Sequence, residues 1–170
     1  MGRAFIKMNG LGNDFVVVAA GDAPFAPTAA QARAIADRGS GIGCDQIIGL
    51  EASSRADAFM RIWNADGGEV GACGNAARCV GWLMMEAAGR DSARIETTAG
   101  LIEARRAGGR SVTLDLGEPG LGWRDIPLAR EMDTRQIALT VDLGIESPGC
   151  VSMGNPHVVF FVADAEAVAA

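Results

Sequence analysis

The residues with the clearest chemical potential lie close together in the stretch ACGNAARC, which runs from Ala72 to Cys79. Cys73 follows a polar, glycine-rich run from Asn64 to Gly71 and precedes an almost wholly apolar stretch, so it is expected at the head of a helix. The first-turn N–H groups of a helix have no intrahelical partner, and the macrodipole places about half a positive charge there. That field favours a thiolate over a thiol. Gly74 lets another molecule approach the backbone closely, and Asn75 adds a side-chain donor within the first turn. Together the three describe an anion site beside a nucleophilic sulfur, which suits a substrate carboxylate next to a carbon acid.

Uncharged amides recur in glycine-rich turns elsewhere. Asn9 and Asn13 lie in NGLGNDF, Gln46 in GIGCDQ, Asn64 in WNADGGE, and Asn155 beside His157 in GNPH. Each alone serves equally well as a turn residue, because Asn tolerates left-handed φ and bonds its own backbone. As a set, side chains that both donate and accept suit a zwitterionic amino acid. The remaining cysteines read as packing: Cys79 is a small hydrophobe inside the apolar helix, and Cys44 and Cys150 are read the same way. Cys73 and Cys79 do not share a helical face and the chain has 1 histidine, so no zinc or other metal site is expected. GSGIG lacks the spacing of a dinucleotide fingerprint and no phosphate loop occurs, so no cofactor motif is found.

The elements that would position these residues follow from patterning. Short β-branched or aromatic runs closed by Gly, Pro, Asn or Asp predict strands over residues 5–8, 15–19, 46–50, 58–63, 94–98, 111–116, 136–143 and 158–162. A helix is predicted from Thr28 to about Asp37, with Gln31 completing a capping box. A second runs from about Gly74 to Ala88 and stops at Gly89, a C-cap signal. Its apolar residues cover every azimuth, which predicts a helix surrounded by protein, with a strongly curved sheet wrapped around it. The segment from Gly117 to Asp133 is rich in Pro and Gly and marks the candidate boundary. After it come two or three strands and an alanine-rich end that reads as the start of a helix. Residues 1–117 are therefore one expected domain, and 118–170 a crossover and the beginning of another.

Composition narrows the classes. A chain of 170 residues with 49% hydrophobic and 21% charged residues can bury a real core, and 23 glycines against 6 prolines indicate tight turns rather than disorder. The net charge of -6 and the lack of a basic cluster exclude a non-specific nucleic-acid surface. No segment approaches the roughly 18 apolar residues of a membrane span, and the N-terminus lacks the apolar core of a signal peptide, so a cytoplasmic protein with reduced thiols is expected.

In order and spacing, MNGLGNDFVVV, GIGCDQIIGLE, RIWNADGGEVGACGNAARC, TTAG and GNPHVVFFV resemble the N-terminal half and domain crossover of the diaminopimelate epimerases. The resemblance implies an α/β (α+β) fold of two similar domains, each a curved mixed sheet around a central helix. It implies a cofactor-independent isomerase that interconverts LL- and meso-diaminopimelate using two cysteines on opposite faces of the α-carbon. Carried over by position, Cys73 is the catalytic residue of the first domain, and Gly74 and Asn75 form its carboxylate-binding helix start. Asn13, Gln46, Asn64 and Asn155 hold substrate, and His157 positions or tunes the site. Asn9 stands where the family would have His, and Ala76 where Gly is common. The family's second catalytic cysteine, in a Cys-Gly-Thr helix start, has no counterpart here, so this chain alone is expected to be inactive. The expected partner is a small-molecule amino acid, with neither nucleic acid nor membrane, and a homodimer is left open. The alternatives are a proline racemase-like enzyme of the same superfamily and a non-catalytic amino-acid-binding or assembly fragment.

Overall fold

The computed structural model describes residues 3–19, 24–141 and 145–164. They form two compact units, Met1–Gly117 and Glu118–Ala170. In the first, a curled mixed sheet is built from β1 (Ile6–Gly10), β2 (Asn13–Ala19), β3 (Gln46–Glu51), β4 (Ala58–Asn64), β5 (Glu69–Val70), β6 (Ser92–Thr97), β7 (Gly100–Arg106) and β8 (Val112–Asp115). The strand order is β1-β2-β3-β4-β6-β7-β8, with β5 paired to β4 beside this path. β2 and β3 run parallel, as do β4 and β6, and the other neighbours are antiparallel.

Side chains alternate across β2. Phe15 and Val17 join Ile48, Met60, Ile62 and Ile95 against the long helix α2 (Gly74–Ala88), while Val16 and Val18 join Ile47 against the short helix α1 (Ala29–Ala36). This is the period-two consequence of a sheet covered on both faces. α2 touches β1 and β2 at one end of the strand order and β6, β7 and β8 at the other, so the sheet curls around it. No residue from Ala76 to Met85 is exposed. Where β1 and β8 face each other across α2 the curl stays open, leaving a cavity of about 690 Å³ floored by Trp82 and Leu83. The curved sheet around a central helix expected from the apolar stretch is thus observed.

Both helix ends behave as their sequences require. Thr28 caps α1 reciprocally with Gln31, and Gly89 ends α2 in the left-handed region at φ 61°. Gly81 permits close helix–strand packing, since a Cβ there would meet the Cβ of Ala104 on β7 at 2.5 Å.

The second unit holds two antiparallel pairs, β9 (Thr140–Val141) with β10 (Ile145–Glu146) and β11 (Gly149–Ser152) with β12 (Pro156–Val159). Ile126, Ile137 and Cys150 form its small core. Several sequence expectations need correction here. The run 136–143 is strand only at Thr140–Val141: before it, the Leu139 N–H turns back to the Ile137 carbonyl, and residues 142–144 lie outside the described residues. The last predicted strand starts two residues earlier and ends at Val159. β5, β7, β10 and β11 had no counterpart in the pattern. The helix expected at the alanine-rich end lies, beyond residue 164, outside the described residues.

Candidate active site

Cys73 is the N-cap of α2, extended at φ -151° and ψ 109°, and its Sγ accepts from the Ala76 N–H at 3.5 Å. Its carbonyl takes the Ala77 N–H at 2.9 Å. The first-turn N–H groups of Gly74 and Asn75 are therefore the two that neither the sulfur nor this carbonyl engages. A Cβ on Gly74 would come no closer to its surroundings than 3.8 Å, at the Arg78 guanidinium, so the backbone is open on that side. A half-buried sulfur beside two first-turn N–H groups that have no hydrogen-bond partner among the described residues can attract a proton from carbon while the donors receive an oxyanion.

The amides gather at one end of three neighbouring strands. Asn13 opens β2, Gln46 opens the parallel β3, and Asn64 closes the antiparallel β4, with Gln46 opposite Asn64 in register. Gln46 Nε2 donates to Asn64 Oδ1 at 2.9 Å. Asn13 is delivered by the β1–β2 hairpin, whose two loop residues Leu11 and Gly12 both have positive φ, 53° and 92°. That geometry suits a twisted two-residue hairpin but strains a leucine. Gly10 lets this hairpin abut α2: a Cβ there would sit 2.8 Å from Cys79 Sγ and 3.2 Å from the Asn75 carbonyl. The contact brings Asn75 Nδ2 to 2.8 Å from Asn13 Oδ1.

Two residues that sequence reading did not single out extend this pair. Arg78 Nη1 donates to Asn75 Oδ1 at 2.8 Å, one turn along α2, and Asn13 Nδ2 donates to Asp45 Oδ2 at 3.4 Å. Asp45 also accepts the Asp14 N–H at 2.8 Å and pairs with Arg38 at 2.8 Å. The Asp14 N–H and the Arg38 guanidinium hold the Asp45 carboxyl below the ordinary carboxylate range. The only sequence signals were adjacency of Asp45 to Gln46 and the three-residue spacing of Asn75 and Arg78.

The other cysteines differ from Cys73. Cys44 packs beneath α1 and Cys79 inside the main core, and burial pushes both thiols up; the nearby Cys73 adds to the rise at Cys79. Cys150 is buried in the core of the second unit. In that unit Asn155 and His157 are exposed and joined, His157 Nε2 lying 3.0 Å from Asn155 Oδ1. Among the described residues no group of three or more His, Cys, Asp or Glu could hold a metal, and no helix is long and apolar enough to cross a membrane.

Comparison with known proteins gives this geometry its context. The diaminopimelate epimerase family model matches residues 5–121. Over 170 aligned residues the chain is 62% identical to a diaminopimelate epimerase of Phenylobacterium zucineum, covering 98% of this chain and 61% of the relative. Over 173 residues it is 51% identical to that of Caulobacter vibrioides, covering 95% and 60%. The chain thus spans about three-fifths of the length of the curated relatives it matches. Two solved structures share the fold. One is a hydroxyproline epimerase from Agrobacterium vitis with bound trans-4-hydroxy-L-proline, at TM-score 0.59 and 21% identity, covering 91% of this chain and 50% of that one. The other is described as a predicted epimerase from Pseudomonas aeruginosa, at TM-score 0.63 and 18% identity, covering 99% and 62%. With its family model matched across the whole helix-wrapping sheet and identities above one half to full-length relatives, this chain belongs to the diaminopimelate epimerase family.

Proposed function

We propose that the chain is the N-terminal part of a cofactor-independent epimerase that interconverts LL- and meso-diaminopimelate, on the route to lysine and peptidoglycan precursors. The observation that carries this reading is Cys73 at the N-cap of α2, next to the linked amides of Asn75 and Asn13. The Cys73 thiolate takes the α-proton, forming an S–H bond as the Cα–H bond breaks. The electron pair moves into the carboxylate, whose growing charge the Gly74 and Asn75 N–H groups and the helix dipole stabilise. A thiol on the opposite face then gives its proton to Cα and is left as a thiolate, which inverts the centre.

Cys44, Cys79 and Cys150 are buried and unsuited to be that second thiol. It is assigned to the part of the enzyme that the longer relatives possess and these 170 residues do not cover. Asn13, Gln46, Asn64 and Asn155 bind the substrate's charged groups, and His157 positions Asn155, consistent with the hydrogen bonds each pair makes. Residues 1–117 then form the N-terminal epimerase domain, and 118–170 the crossover and beginning of the second. The reading places the enzyme in the cytoplasm with a small amino acid as its partner and with no membrane or nucleic-acid partner, and leaves a homodimer open.

The test is incubation of the 170-residue chain with LL-diaminopimelate in D2O. Neither conversion to the meso isomer nor its deuterated product is expected, because one thiol serves one face. Formation of both stereoisomers carrying α-deuterium would overturn the two-base assignment. Joining the chain to the C-terminal part of the Phenylobacterium zucineum relative is expected to give activity, which Cys73→Ala abolishes.

A further inference from the structure

Four side chains in the first unit form a hydrogen-bonded row whose direction is fixed at both ends. Arg78 carries only donors, so the atom of Asn75 facing it at 2.8 Å must be Oδ1. That turns Asn75 Nδ2 toward Asn13, whose Oδ1 accepts at 2.8 Å. Asn13 Nδ2 is then left facing Asp45, an ionised carboxylate that only accepts, at 3.4 Å. An asparagine amide can ordinarily flip and exchange donor for acceptor at little cost. Here a donor-only group closes one end and an acceptor-only group the other, so flipping either amide would set like against like at two contacts. Asp45 is itself fixed by the Asp14 N–H and by Arg38.

We propose that Arg78 and Asp45 are positioning residues of the epimerase site, which lock the amides of Asn75 and Asn13 in one orientation and so decide which of their atoms meet the substrate. The inference rests on the reading of Asn13 and Asn75 as substrate-binding groups. After the row is made, each amide retains one N–H and one lone pair, so the site offers the carboxylate a donor of fixed location from each. Neither Arg78 nor Asp45 takes part in proton transfer.

The relay itself is tested in the 170-residue chain by the ¹⁵N–¹H signals of the Asn13 and Asn75 side-chain amides. Asp45→Asn is expected to shift both, including the Asn75 signal two links away. Arg78→Met is expected to shift both as well, and Arg78→Lys, still donor-only, to restore them. An Asn75 signal unmoved by Asp45→Asn would overturn the relay. Its role in binding is tested kinetically in the hybrid completed with the Phenylobacterium zucineum C-terminal part. Arg78→Met and Asp45→Asn should each raise KM about ten-fold with kcat within about three-fold, Arg78→Lys should stay near the unsubstituted hybrid, and the double variant should be no worse than either single one. An unchanged KM, or losses that add and follow the fall in Tm, would overturn it. An unsubstituted hybrid without activity counts against the epimerase reading alone, and the amide signals then decide the relay.

Discussion

At Cys73 the sulfur is half-buried and accepts an N–H at the head of a fifteen-residue helix, whereas Cys44, Cys79 and Cys150 are enclosed by apolar neighbours. Burial raises the Cys44 and Cys79 thiols, which keeps them protonated near neutral pH. Brief iodoacetamide treatment of the folded chain is therefore expected to modify Cys73 before the others, read as a mass shift on its peptide. Labelling of Cys79 first would contradict the arrangement. Cys73, Gly74 and Asn75 were legible because a cysteine followed by a glycine and an amide at a helix start is rare enough to point to chemistry. Arg78 and Asp45 were not, because a lone charge on a helix or in a loop reads as a solvated face. Their meaning depends on Asn13 and Asn75 meeting across 62 positions of sequence, which only the folded chain supplies.

The elements show the same division between local signals and long-range ones. α1 and α2 were placed nearly to the residue because capping boxes and left-handed glycines are written within a few positions. β7 escaped because only Ile102 and Ala104 are buried in a run that also holds Glu103, Arg105 and Arg106; its strand character comes from pairing with β6 and β8. Two substitutions probe the packing of these elements. Gly→Ala inside a helix ordinarily stabilises by about 1 kcal/mol. At Gly81 the new methyl would overlap Ala104, and Gly81→Ala is expected instead to cost about 1–3 kcal/mol, seen as a lower midpoint in urea. In the hairpin that delivers Asn13, Leu11 sits at φ 53° and is exposed. Leu11→Asn relieves a left-handed leucine and is expected to raise stability by about 1 kcal/mol, measured as a higher Tm.

For the molecule as a whole, the charge pattern predicts a direction of pH dependence. The Asn9 amide and the Arg38 guanidinium hold Asp14 below its ordinary value, and the Asp14 N–H and Arg38 do so for Asp45. Depressed carboxylates contribute stability that is present above their unfolded-state values and lost as pH falls through the folded ones, so the first unit should weaken below about pH 4. Arg38→Met is expected to move the acid midpoint, followed by circular dichroism, to higher pH. The fold class was readable because one apolar helix needs a covering on every side, but the closure of that covering was not. Along the main path β4 meets β6 through only two residue pairs, Ala58 with Ile95 and Phe59 with Glu96. The sheet is thus two panels joined by a narrow seam, and α2, gripping β1 and β2 on one side and β6, β7 and β8 on the other, is the splint across it. Amide hydrogen exchange should report this directly: a substitution that loosens α2 is expected to release protection in both panels together, so Cys73, the residue proposed to move the proton, heads the element that keeps the panels in step.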